Sequence, residues 1–479
     1  MRRPHRSRRP RPLTATGAAL LTAAAALAAT ACGAGGVDGA PGASGVRDPY
    51  FPRAGNGGYD VAHYALDLAY DPGAHHLTGT ATLTARATQD LSALNLDLVG
   101  MDVEKVVVDG DPVSWHRAGQ ELTVRPRGEI DRGARFRVTV RYSGAPVTVT
   151  DPDGSEEGWL RTADGALALG QPTGSMTWFP GNHHPSDKAT YTLAVTVPKG
   201  LRAVSSGEPA GEETEGDRTT HRWRTTEPMA SYLATLAVGR YEVDRTTAAG
   251  GLPVYTAVDP DQAGASRPVL AGLPGIVAWA ERTFGPYPFS STGAIVERPG
   301  DAGYALETQN RPVFPGAPAT GLVVHEIAHQ WYGNSVTPAT WRDMWLSEGF
   351  ATYAEWLWEE DHGGDTAQRT FDALYAGGHF RDPESAEALW SFPPARPPGA
   401  AHISGVPVYQ RGAMVLHKIR QTVGDGPFRA LLRGWAEEHR HGNADTDDFT
   451  AYVEESAPDE DFTGIWADWL YGEGRPERP

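Results

Sequence analysis

The sequence predicts an α+β multidomain chain: an N-terminal β saddle or sandwich, then a mostly helical region. Three observations lead there. At 479 residues the chain exceeds what one hydrophobic core usually organises. From about residue 48 to 243, runs rich in Val, Leu and Thr place apolar side chains at period two. From about residue 268 the spacing becomes helical, as in Leu270, Leu273, Ile276, Val277 and Ala280.

The first stretch reads as an export signal. Arg2, Arg3, Arg6, Arg8, Arg9 and Arg11 form a basic start, and residues 18–29 an Ala- and Leu-rich apolar run. The run is too short and too rich in Ala for a good membrane span. Ala29-Thr30-Ala31 then places small residues before Cys32. Cys32 is the only cysteine, so an intrachain disulfide is excluded. Its position resembles a lipobox, with Ala29 where Leu or Val is usual; the alternative is a secreted protein with an incidental Cys. The expected divisions are a signal peptide over 1–31, a lipid-anchored flexible tether over 32–47, a β domain over 48–248 and a second domain over 249–475. The expected location is the outer face of the cell membrane, or outside the cell.

Within the β region, Leu66, Leu68 and Tyr70 alternate, and residues 77–85, 106–108, 122–124, 136–140, 191–197 and 201–204 continue the pattern. Asp109-Gly110-Asp111-Pro112 marks a turn. Helices are expected over 320–332, 343–361, 411–423, 428–439 and 461–471, with another opening at Thr446. The Pro-rich residues 392–398 should form a loop. Charge narrows the partners. The chain carries 42 basic and 60 acidic residues, and without the six leader arginines its net charge falls from −18 to −24. So acidic a surface disfavours nucleic acid and anionic lipid.

The strongest chemical signal is His325-Glu326-Ile327-Ala328-His329. On a helix, residues i and i+4 share a face one turn apart, so both imidazoles reach one point, as tetrahedral zinc requires. Glu326 projects near the same face, placed as a base toward water and not as a ligand. A catalytic zinc needs a third protein ligand and an open position. Glu348 supplies it from Trp345-Leu346-Ser347-Glu348-Gly349-Phe350-Ala351, if two antiparallel helices bring it over the first. One zinc ion on His325, His329 and Glu348 is the expected cofactor. A chance copy would be a helix with two surface histidines and a salt-bridging Glu; the third ligand at this offset speaks against it.

HEIAHQWYGN and WLSEGFATYAE resemble the gluzincin aminopeptidases, the family of aminopeptidase N and leukotriene hydrolase, over roughly residues 50–470. The resemblance implies a β saddle followed by a thermolysin-like catalytic domain, in a short member without the extra C-terminal helical domain. It implies a monomer that removes N-terminal residues from peptides by a zinc-activated water. Tyr304-Ala305-Leu306-Glu307-Thr308 is similar to the family's G-x-M-E-N motif, with only the Glu kept. Glu307 would bind the substrate's α-ammonium, and Gln171 would assist it or else be a plain turn residue. Val408-Tyr409-Gln410-Arg411-Gly412 is similar to Y-E-K-G, which makes Tyr409 the oxyanion donor, a packing role being its alternative. Residues 178–189 resemble a first-domain stretch in which Gly181 and His183 replace the family's Cys and Asp. Glu355 is either a hydrogen-bond partner of a ligand imidazole or a surface residue; Asn334 is expected to cap or turn the chain. Two other readings stay open: a zinc endopeptidase, and a non-catalytic envelope lipoprotein on the same fold.

Overall fold

Alternation of inward and outward side chains builds the first half. In His76–Ala87 every second residue from Leu77 to Ala87 is buried. The computed structural model describes residues 39–379 and 383–477. An eight-stranded sheet runs in the order Glu208–Glu215, Arg218–Ala230, Lys188–Pro198, Tyr59–Asp71, His76–Ala87, Arg135–Gly144, Asp102–Val108 and Asp111–Pro112. Its one parallel pair, Lys188–Pro198 beside Tyr59–Asp71, sets Tyr191 against Tyr64 with the rings stacked 4.9 Å apart. Two strands reach 13 residues, longer than the short runs expected: in Tyr59–Asp71 the outward positions are held by Asp, Ala and His, and in Arg218–Ala230 largely by Arg and Thr, so the alternation runs on. A five-stranded and a four-stranded sheet complete this half.

Residues 39–47, expected as flexible tether, belong to the fold. Ala40–Pro41 pairs with Leu91–Asp97, Gly42 N donates to Ala93 O at 2.8 Å, and Asn95 Nδ2 donates to Gly42 O at 3.0 Å. Main-chain bonds hold this segment, and a composition of Gly and Ala does not reveal them. The signal peptide, Cys32 and the rest of the tether lie outside the described residues. His183 and His184 diverge: the first bonds Phe179 O, the second Asp48 and Ser186.

The second half opens with a small sheet that the helical pattern did not announce, ordered Glu242–Thr247, Pro253–Val258, Thr292–Val296 and Val313–Phe314. Its first hairpin straddles residue 248. The helices follow as α1 (Pro260–Ala271), α2 (Leu273–Phe284), α3 (Thr320–Ala328), α4 (Trp345–Asp361), α5 (Ala367–Ala376), α6 (Pro383–Ala388), α7 (Gly412–Val423), α8 (Asp425–Glu438) and α9 (Thr446–Ser456). Helix begins at residue 260, earlier than expected, because Asp259 caps it and Pro260 fits the first turn. Asp445, not Thr446, caps α9, in a reciprocal capping box with Asp448. The last helix is confined to a wide π turn, Ile465–Leu470.

Buried polar bolts join the halves. Lys188 Nζ donates to Asn334 O, Ser335 O and Gly442 O at 3.0, 2.9 and 3.1 Å. Asp48 Oδ2 accepts from Trp341 N at 2.9 Å and meets His184 Nε2 at 3.2 Å. Replacing Lys188 by Met takes a charged donor from three inward carbonyls and leaves Ser335 O without one, while Asn334 O and Gly442 O still accept from Thr337 Oγ1 and Thr337 N. It should cost about 3 kcal/mol and lower the thermal midpoint, as scanning calorimetry would show; an unchanged midpoint would mean that the bolt carries no stability.

Candidate metal centre and active site

Helix α3 buries Val323, Val324, Ile327 and Ala328, and this apolar contact fixes its rotation. It ends four residues earlier than expected, at Ala328. His329 keeps helical dihedrals (φ −55°, ψ −25°), so its i, i+4 relation to His325 survives. Gln330 N and Trp331 N then bond Ile327 O and Ala328 O, which tightens the turn, and Gly333 at φ +119° reverses the chain. A Cβ there would lie 2.3 Å from Ser347 Oγ and 3.2 Å from His329 Nδ1, so a side chain would push into the site. Helix α4 approaches α7 so closely that a Cβ on Gly349 would lie 3.0 Å from the Gly412 backbone. Glu348 precedes that contact.

The three expected ligands converge. Glu348 Oε2 lies 3.2 Å from His325 Nε2 and 3.3 Å from His329 Nε2. Zinc bonds of 2.0–2.2 Å at a tetrahedral angle put ligand atoms roughly 3.3 Å apart, so the donor set and its spacing fit the ion. The far ring nitrogens are also held. His325 Nδ1 donates to Glu355 Oε1 at 2.8 Å and His329 Nδ1 to Tyr332 O at 3.1 Å, leaving each Nε2 free for metal. Glu355 is therefore the partner of an imidazole. The Tyr332 carbonyl and nearby Ser347 play that part for His329, and no side-chain pattern in the sequence marks them.

Electrostatics point the same way. Burial opposes charge on Glu348, but the two imidazoles outweigh it and hold the carboxyl at about 2. Burial pushes the Glu326 carboxyl up to about 8 against the pull of both imidazoles. Burial likewise raises Glu307, and burial with the surrounding carboxylates keeps the Tyr409 phenol protonated.

Every candidate lines one cleft of about 360 Å³: Gln171, Glu307, His325, Glu326, His329, Glu348 and Tyr409. Carboxylate oxygens of Glu307 and Glu326 and a ring nitrogen of His329 lie within 4.8 Å of one another. Gln171 Nε2 donates to Glu307 Oε1 at 3.3 Å, across the two halves. Tyr409 stands on a π turn, Pro407–Arg411, with its ring parallel to that of His325 at 6.1 Å. Tyr304, Asp151 and Asp153 also line the cleft, and the sequence did not mark them as its walls.

A β half carrying one side of a cleft and a helical half carrying His, His and Glu define a two-domain zinc metallopeptidase. Residues 61–233 match the Peptidase M1 N-terminal domain and residues 309–469 the Peptidase family M1 domain. The solved structure of the M1 zinc metallopeptidase from Deinococcus radiodurans superposes with TM-score 0.81 at 30% identity, over 91% of this chain and 99% of that one. A variant of it bound to a Tyr-Ser-Ala substrate aligns at 31% identity with TM-score 0.80, over the same shares. Among curated proteins, Aminopeptidase 2 of Candida albicans is 23% identical over 86% of this chain, and glutamyl aminopeptidase of Sus scrofa 25% identical over 79%. The chain spans about half the length of these relatives, 47% and 44%. The chain belongs to the M1 family of zinc metallopeptidases, whose cofactor is a single zinc ion.

Glu355→Ala should weaken zinc about 10- to 100-fold, measured by competition with a chromogenic chelator. Unaltered affinity would show that the 2.8 Å bond to His325 does not tune the ligand.

Proposed function

We propose that the protein is an aminopeptidase that removes the first residue from peptides with a free N-terminus. The observation that carries this reading is the place of Glu307: a buried carboxylate, touched by Gln171, beside Glu326 and His329 at one end of the cleft. A carboxylate there, with an oxygen within 4.8 Å of a His329 ring nitrogen, holds an α-ammonium so that the carbonyl nearest the chain end meets the ligand set. The aminopeptidases among the relatives, and the tripeptide bound by the Deinococcus variant, support it.

When bound by His325, His329 and Glu348, zinc supplies Lewis acidity, which polarises a carbonyl and lowers the pKa of water to about 7. The side chains supply the rest. Glu307 and Gln171 fix the ammonium end, so that one peptide carbonyl faces the ligand set. Glu326, whose Oε2 is buried without a protein partner, takes the proton of the attacking water and passes it to the leaving amine. A carboxyl whose burial raises its proton affinity suits both halves of that exchange. Tyr409, held protonated, donates to the oxyanion.

Export is part of the proposal. The basic start, the apolar run and Ala29-Thr30-Ala31-Cys32 support a protein anchored outside the cell membrane through a lipidated Cys32. Among the described residues no helix is long and apolar enough to cross a membrane.

Glu326→Gln should retain zinc and lose about a thousandfold in kcat, measured with amino-acyl amides; wild-type turnover would remove Glu326 from the chemistry. The unaltered enzyme should cleave free peptides and spare amino-terminally blocked ones, and preference for the blocked peptide would overturn the aminopeptidase reading. Cys32→Ser should shift the protein from the membrane to the soluble fraction; no shift would refute the anchor.

A further inference from the structure

The turn that ends α3 also holds the Glu307 loop by its main chain. Leu306 and Val313 exchange backbone bonds of 3.0 and 2.8 Å, closing a hairpin that carries Glu307 on one arm and Asn310 at φ +70° in its bend. Gln330, next to His329, engages that hairpin twice: Oε1 accepts from Asn310 N at 3.0 Å and Nε2 donates to Glu307 O at 3.3 Å. Asn334 Nδ2 donates to the same Glu307 O at 2.7 Å. Both side chains are fully buried. Glu307 O thus accepts two bonds from the segment that carries both imidazoles, and the Glu307 main chain, from which the carboxylate projects, cannot shift along the cleft without breaking them.

We infer that Gln330 and Asn334 are positioning residues that fix the distance between the ammonium-binding carboxylate of Glu307 and the metal-binding imidazoles, and so set the one-residue register of cleavage. The inference rests on the aminopeptidase reading. The amides hydrogen-bond none of the metal ligand side chains; they act through the main chain of the hairpin that carries Glu307. A displacement near 1 Å is enough to cost about a hundredfold in rate, so bonds that hold the loop to that tolerance have a catalytic consequence.

The test uses Asn334→Asp, which replaces the donor by an acceptor of the same shape, and Gln330→Met, which removes both hairpin bonds, together with a longer one of 3.5 Å from Nε2 to Glu326 O in its own turn, without adding charge. Each is made in the full chain and on a Glu307→Ala background. Each single variant should keep zinc and raise KM for an amino-acyl amide about tenfold, with kcat changed less. Calorimetric affinity for a free amino acid, measured on Glu326→Gln protein that does not turn over, should fall by the same factor. On the Glu307→Ala background the further change should stay under about twofold, since residues acting only through Glu307 are not additive with it.

Unchanged KM overturns the inference. So does a full extra loss on the Glu307→Ala background, which marks general destabilisation, and so does loss of zinc by both variants, which ties the amides to the ligand helix and not to the amine clamp. If Glu307→Ala itself leaves KM and free-amine preference intact, the aminopeptidase reading falls and the inference with it. That outcome is distinct from one in which only the amide variants are silent.

Discussion

Buried negative charge governs this structure. Glu307, Glu326 and Glu348 are 2%, 4% and 3% exposed, and all face one cleft. Removing an ionised carboxylate from water costs several kcal/mol unless an opposite charge or hydrogen bonds replace the solvent. Gln171 touches one of the three, and two imidazoles face another. Those imidazoles are themselves turned by Glu355 and the Tyr332 carbonyl so that their lone pairs point inward. A divalent cation satisfies this set, and in the proposed function a peptide ammonium satisfies what remains at Glu307. On that reading the same imbalance selects both the cofactor and the end of the substrate.

The fold holds these groups by backbone contact more than by side-chain mass. Gly333 and the Gly349–Gly412 crossing let chains pass where a Cβ would collide with the site or with the neighbouring helix. The β half contributes Gln171 to the cleft, and Lys188, the first residue of an inner strand of its large sheet, grips carbonyls just beyond the zinc helix. Tyr232 OH adds a bond to Gly333 O at 3.2 Å. The cleft is consequently a property of both halves docked together, since its walls come from both sides of residue 248.

What was legible in the sequence follows the range of each interaction. His325 and His329 are related by one helical turn, so spacing alone brings them together, and period two revealed the large sheet. Glu348 needed only one further helix. Glu307 was legible through resemblance alone, because its place depends on a hairpin clamped from another element by Gln330 and Asn334. The small sheet of the second half was missed because its two inner strands, Pro253–Val258 and Thr292–Val296, are buried on both faces and show no alternation. Residues 39–47 were read as tether because main-chain pairing leaves no trace in a Gly- and Ala-rich segment.

The altered flanks of the Glu307 motif have a structural account. Leu306, where the family carries Met, is fully buried and forms the bridge to Val313 that closes the hairpin. Thr308, where the family carries Asn, caps the hairpin through Oγ1 to Arg311 O. Tyr304, in the place of Gly, reaches across the cleft so that its hydroxyl lies 3.4 Å from Gln171 O. That phenol ties the Glu307 segment to the residue from the β half that touches Glu307. The substitutions therefore do not open the hairpin: two seal it, and the third places an aromatic wall along the cleft. Of the three altered positions only Tyr304 lines the cleft, while the Glu307 main chain stays tied to the turn that ends the zinc helix.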